Sequence, residues 1–113
     1  MGAISSIIRA GAMLERRALA RDTCRPGLVQ REFLLRLLKL NSSTIYGKKF
    51  SFSSITNEKE FRDSLPVVQF TDIEAYVELI MSGVCNVLTS EPVLMFNMTS
   101  GTIGSSKYIP VIR

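Results

Sequence analysis

An α/β fold, mostly helical and ending in a strand–loop–strand unit, is predicted by three features of the chain. Apolar residues recur at helical spacing in four separate stretches before Gly83. Breaks stand between those stretches at Pro26-Gly27 and Pro66, and Gly83 closes the last of them. Beyond Gly83 the pattern changes to two short apolar runs, Pro92-Val93-Leu94-Met95-Phe96 and Tyr108-Ile109-Pro110-Val111-Ile112, flanking a loop rich in Thr, Ser and Gly.

Residues 1–22 read as an amphipathic helix, with Ile4, Ile7, Ile8, Ala12, Leu14 and Leu19 as an imperfect apolar stripe. Cys24-Arg25-Pro26-Gly27 breaks it. Residues 28–40 are expected to be the main core helix. Leu28, Phe33, Leu34, Leu37 and Leu38 lie on one wide face, and Arg31, Glu32, Arg36 and Lys39 on the other. Asn41-Ser42-Ser43 ends it, and Thr44-Ile45-Tyr46-Gly47-Lys48-Lys49 reads as a docking loop whose lysines have a plain surface role.

A short helix is expected over residues 57–64, started by Asn57 with Glu60 three residues on and stopped before Pro66. Residues 66–70 read as an extended connector. Thr71 with Glu74 is expected to cap the next helix, whose buried stripe is Ile73, Tyr76, Val77, Ile80 and Met81 and whose stop is Gly83. Cys85 is expected as a small buried residue, and the two later apolar runs as short buried strands. The chain thus divides into a helical lead-in (1–26), helices and connectors (27–83) and a strand–loop–strand (84–113).

The chain has 113 residues, 46% of them hydrophobic, enough for the core of one small domain. No apolar run approaches the ~20 residues needed to span a bilayer. With no histidine, Ser-His and Cys-His catalysis drop out, and so does most zinc chemistry. Cys24 and Cys85 lack CxxC spacing, which favours a reduced, cytoplasmic protein.

The net charge of +4 is uneven: ten basic residues face three acidic ones before Phe50, giving +7, and four face seven from there on, giving −3. Aromatics are not interleaved with the early arginines, which fall between apolar helix positions. The expectation is a solvated helix face, with neither nucleic acid nor membrane as partner. Asp72, Glu74 and Glu78 are spaced for a helix surface, so no catalytic carboxylate set and no metal ligand is assigned.

The loop is the one stretch that carries chemistry. Gly101 and Gly104 leave backbone N–H groups open to an anion, and Lys107 adds a mobile positive charge. Thr99, Ser100, Thr102, Ser105 and Ser106 add hydroxyl donors. The P-loop of kinases and ATPases does not fit, because Ser106 stands where its second glycine is required and Tyr108 replaces the magnesium-binding hydroxyl. The bland alternative is a hairpin turn that binds nothing, on a small helical interaction module.

Order along the loop separates these. Thr99-Ser100-Gly101-Thr102-Ile103-Gly104-Ser105-Ser106-Lys107 resembles the phosphate-binding signature of adenylate-forming enzymes, except that Ile103 stands where Thr or Ser is usual and removes one donor. With Asn41, Thr44-Ile45-Tyr46-Gly47-Lys48-Lys49, Leu65-Pro66-Val67, Asp72-Ile73-Glu74-Ala75-Tyr76 and Asn86-Val87-Leu88-Thr89-Ser90-Glu91-Pro92, the chain resembles the auxin-responsive promoter family of acyl-acid-amido synthetases. The resemblance runs over residues 30–111.

It implies the N-terminal part of an adenylate-forming enzyme's large domain. In that family a carboxylate attacks the α-phosphate of ATP, giving an acyl-adenylate and pyrophosphate. An amino acid amine then displaces AMP to form an amide. By resemblance Ser100, Gly101, Thr102, Gly104 and Lys107 bind the β- and γ-phosphates, with Mg2+ sharing the charge, and Thr99 and Ser105 stand second. Glu91 is expected to anchor the loop's base. Family members are several times longer, so the expectation is an N-terminal fragment that does not catalyse adenylation alone. The partners implied are ATP and, in a full-length parent, a carboxylic acid and an amino acid.

Overall fold

The computed structural model describes residues 2–101 and 106–113, with the side chains of the first helix described from residue 12 on. The elements in chain order are α1 (Gly2–Thr23), α2 (Pro26–Leu40), α3 (Ile45–Lys49), a 3-10 turn (Phe52–Ser54), α4 (Glu58–Ser64), α5 (Phe70–Met81), β1 (Met95–Met98) and β2 (Tyr108–Val111). The chain forms two compact units, Met1–Phe33 and Leu34–Arg113, whose boundary falls inside α2.

In the first unit α1 ends where the Cys24 N–H donates to Arg21 O and the Arg25 N–H to Asp22 O, both at 3.2 Å. Pro26 then opens α2 at the first helical position, where its missing N–H is no loss and its fixed φ suits the helix. The apolar face expected to be core is largely open: Leu28 and Phe33 are exposed here.

The second unit holds the core, built from Leu38, Ile55, Val77 and Val87 around the buried Thr44. Leu38 is the one buried residue of α2; Leu37 and Leu40 are exposed, so the helix contributes a narrow edge rather than a wide face.

Residues 45–49 are helical, which corrects the expected loop. Thr44 is the N-cap, its Oγ1 accepting from the Gly47 N–H at 2.8 Å while its O–H donates to Asn41 O at 2.7 Å. Gly47 permits this tight winding, since a Cβ there would lie 2.0 Å from Asn41 O. The first N–H groups of α3, from Ile45 and Tyr46, donate to Asn86 O and Val87 O at 3.0 Å each. Those donors are satisfied from far along the sequence, which is why local pattern misses the helix.

At α4 the cap is the expected one: Asn57 Oδ1 accepts from the Glu60 N–H at 2.9 Å. The return half differs, because Glu60 Oε2 takes the N–H and the hydroxyl of Thr56 at 2.7 and 2.9 Å. Those bonds hold the Glu60 carboxyl below its ordinary pKa. Along the exposed surface of α4, Arg62 pairs with Glu58 and Lys59 with Asp63.

The start of α5 is earlier than expected. Gln69 rather than Thr71 is the N-cap, and its N–H donates to Asp72 Oδ2 at 2.7 Å. Ile73, Tyr76, Val77 and Ile80 do form the inward stripe, whereas Met81 is exposed. Gly83 ends the helix as expected, with φ +95°. The Val84 N–H bonds to Leu79 O and the Gly83 N–H to Ile80 O, each at 3.0 Å, the paired closure that glycine at this position allows.

β1 and β2 pair antiparallel with Met95 opposite Val111 and Met98 opposite Tyr108. β1 begins three residues later than its apolar run suggests, leaving Pro92, Val93 and Leu94 outside it. The strands are not buried: Met95, Met98, Tyr108 and Ile109 are all exposed. A two-stranded ribbon has both strands as edges, and α5 packs against only part of it. Pro110 is tolerated in such a ribbon, because proline in sheets belongs on edges.

Candidate functional site

The hairpin ladder continues past the strand ends and closes the loop. The Thr99 N–H donates to Lys107 O at 2.9 Å, and the Lys107 N–H returns to Thr99 Oγ1 at 3.2 Å. The first and last residues of the expected phosphate-binding set are therefore held side by side at the loop's foot. Thr99 is half-buried, while Ser100, Gly101 and Lys107 are exposed. Thr102, Gly104 and Ser105, with Ile103, lie outside the described residues.

The Thr99 hydroxyl oxygen is occupied as an acceptor, which leaves its hydrogen to donate. Lys107 carries its ammonium 5.4 Å from the ring centroid of Phe70, the first residue of α5. That contact is invisible to sequence analysis. Phe70 falls in a stretch read as a connector, and nothing local ties it to Lys107, which directly precedes β2.

An exposed lysine, an exposed glycine and hydroxyl side chains beside it are groups that can pair with an anion. Among the described residues no cluster of three or more His, Cys, Asp or Glu could hold a metal ion. A magnesium ion at this loop would be carried by the phosphates, as is usual for that ion.

Among the described residues, Glu91 makes no hydrogen bond to Thr99 or Lys107 at the loop's foot. Its N–H donates to Thr89 Oγ1 at 3.2 Å, and it borders a shallow groove with Pro92, Leu94 and Arg113. The loop's foot is closed within the hairpin, so no outside anchor is needed. A second groove of about 250 Å³ runs from the end of α5 along the following segment, between Ile80, Val84, Cys85 and Val93. Cys85 is exposed there rather than buried. Gly83 and the left-handed Asn86 (φ +59°) turn the backbone on either side of it and leave its side chain outside the core.

Lys49 is engaged in packing. Its Nζ donates to the Tyr76 hydroxyl at 2.9 Å and stands 5.4 and 5.5 Å from the centroids of Phe50 and Tyr76. The bond to Tyr76 holds the Lys49 ammonium above its ordinary pKa. Tyr46 packs within the same group, its ring 4.7 Å from Phe50 and 5.3 Å from Tyr76. Lys49 is on the surface as expected, but its bond to Tyr76 gives it a packing role that a plain surface lysine lacks.

A mostly helical chain that ends in a two-stranded antiparallel hairpin is consistent with part of a GH3 N-terminal domain. Residues 15–113 match the GH3 family N-terminal domain, and the chain belongs to the GH3 family. It is 35% identical over 93 residues to the indole-3-acetic acid-amido synthetase GH3.2 of Arabidopsis thaliana, covering 80% of this chain and 17% of that protein. It is 33% identical over 94 residues to the jasmonoyl-L-amino acid synthetase GH3.5 of Oryza sativa subsp. japonica, covering 81% and 16%. A jasmonoyl-L-amino acid synthetase of Nicotiana attenuata, JAR4, is 30% identical over 86 residues, covering 74% and 15%. The chain thus spans about a sixth of the length of these relatives. Among the described residues no helix is long and apolar enough to cross a membrane.

Proposed function

We propose that the chain is the N-terminal portion of an ATP-dependent acyl-acid-amido synthetase and supplies its phosphate-binding loop. The parent enzyme would adenylate a carboxylic acid in the cytoplasm and pass the acyl group to an amino acid. Thr99, Ser100, Gly101, Thr102, Gly104, Ser105 and Lys107 are the residues assigned to the β- and γ-phosphates, with Mg2+ carried by those phosphates and offsetting part of their charge. The observation that carries this reading is the closure at the loop's foot, which sets Thr99 beside Lys107 at the two ends of the motif. Family membership and the names of the relatives support it.

The chemistry asked of such a loop is electrostatic. Backbone N–H groups, hydroxyls and one ammonium offset the charge that shifts onto pyrophosphate as the acyl–phosphate bond forms. The acid and amine pockets belong to other parts of such an enzyme, so the 113-residue chain alone binds polyphosphate and turns over no acid.

Calorimetric titration of the chain with MgATP and with magnesium pyrophosphate tests the reading. Weak saturable binding is expected, lowered at least tenfold by Lys107→Ala, as for loss of a charge-assisted bond of about 1.5–3 kcal/mol. Binding that is absent, or indifferent to Lys107→Ala, would leave the loop as a plain turn on an interaction module. Adenylation by the 113-residue chain itself, seen as ATP–pyrophosphate exchange, would overturn its assignment as inactive alone.

A further inference from the structure

We propose that Phe70 is a positioning residue for Lys107: its ring holds the ammonium at the foot of the loop until a polyphosphate draws it away. The inference rests on the reading of Lys107 as a phosphate-binding residue and adds a partner that the motif does not contain.

Both ends of this contact are set by independent structure. The Lys107 backbone is tied to Thr99 by two hydrogen bonds, at 2.9 and 3.2 Å. The half-buried Phe70 opens α5, whose first turn is fixed by the Gln69 N–H bonded to Asp72 Oδ2 at 2.7 Å. The ammonium then stands 5.4 Å from the ring centroid, inside the range at which the negative face of an aromatic ring attracts a cation. α5 also packs on β2, which follows directly from Lys107.

A phosphate oxygen binds an ammonium by a direct charge-assisted hydrogen bond, which is stronger than an exposed cation–π contact. The ring is therefore a resting place and not a block. An ammonium that bonds a phosphate from the loop side gives up its position over the ring. Polyphosphate affinity is lowered by what that contact is worth, about two- to fivefold for an exposed pair. The ring also shortens the search: it keeps a flexible four-carbon side chain beside the loop instead of free in solvent.

The test uses the 113-residue chain as it stands, with magnesium pyrophosphate as the probe. Calorimetry is run on the wild type, Phe70→Leu and Lys107→Ala, and proton NMR follows the Lys107 methylene signals next to the ammonium. The wild type is expected to show those signals shifted upfield by the ring. The shift should vanish in Phe70→Leu and on adding pyrophosphate, and Phe70→Leu should bind pyrophosphate about two- to fivefold more tightly. Circular dichroism checks the fold, and Phe70→Met, which keeps the side-chain bulk, replaces the leucine variant if that one unfolds.

Equal or weaker pyrophosphate binding by the Phe70 variant overturns the proposal, as does a wild type without the upfield shift. Absence of pyrophosphate binding in the wild type as well as the variants, with the shift present, would sink the phosphate reading of Lys107 and the competition with it. Persistence of the shift at saturating pyrophosphate would instead overturn the competition alone.

Discussion

Two regions of the second unit treat their residues in opposite ways. The knot formed by residues 41–47 against residues 86–90 is made largely of polar groups and one glycine, yet Thr44 and Val87 are 0% and 1% exposed. The hairpin that carries the loop is richer in apolar side chains, yet Met98 is 64% exposed and Leu94 62%. The knot is closed by bonds between residues more than forty positions apart: Asn86 Nδ2 donates to Ser43 O at 3.0 Å, and the Ser90 N–H to Asn41 Oδ1 at 2.9 Å. Asn41 Nδ2 at the same time donates to Leu37 O at 2.9 Å, joining the knot to the end of α2.

Among the described residues, the hydrogen bonds that close the hairpin are those of its own ladder. Burial here follows from which backbone segments can be brought together with every polar group satisfied, and not from how apolar each segment is. Thr44 shows the reason: its hydroxyl both donates and accepts, so hiding it costs little, whereas an unpaired hydroxyl would cost about 1–3 kcal/mol.

The sharpest way to break this contrast is Gly47→Ala. The added Cβ would meet the Asn41 carbonyl oxygen at 2.0 Å, and that oxygen is already held by Thr44. A loss of about 3 kcal/mol is expected, read from the urea midpoint with unchanged slope. A variant within about 1 kcal/mol of the wild type would mean the knot gives way easily and does not organise the unit. Next in size is Thr44→Val, which removes the cap of α3 and leaves the Gly47 N–H without its partner. A loss of about 2 kcal/mol is expected by the same measurement, while Thr44→Ser, which keeps both bonds, should lose less than about 1 kcal/mol. Equal losses in the two variants would mean that the methyl group matters and the hydrogen bonds do not. The smallest effect belongs to the hairpin, where Met98→Thr should change stability by less than about 0.5 kcal/mol. A loss above about 1.5 kcal/mol there would show that Met98 is covered in solution and that the two regions differ less than their exposures suggest.

Much of the local architecture was legible residue by residue. Asn57 with Glu60 started α4, Gly83 stopped α5, and the Pro-Gly pair at 26–27 separated two helices, because each signal acts within one turn of its own backbone. The loop motif pointed to the right family for a similar reason: order and spacing along Thr99–Lys107 are properties of the chain and need no folding to be seen. The failures share a cause as well. α3 was missed because its first donors are satisfied by Asn86 and Val87, and its glycine looks like a breaker until Asn41 is seen against it. Phe70 was passed over because its partner is Lys107. The apolar face of α2 and both strands read as core but are largely exposed, since periodicity reports which face is apolar but not whether anything covers it.

What the amino-acid sequence determined by itself is therefore the succession of helices, their stops, and a Thr/Ser/Gly loop between two strands in a chain of the GH3 family. Those depend on dihedral preference, capping and spacing, which are short-range. Tertiary structure alone decided that Thr44 and Val87 would be the best-hidden residues, that Thr99 and Lys107 would close the loop's foot, and that the lysine would stand over Phe70. Each of these requires two segments to meet, and the free energy of that meeting, from satisfied hydrogen bonds and excluded water, belongs to the pair and to neither segment alone.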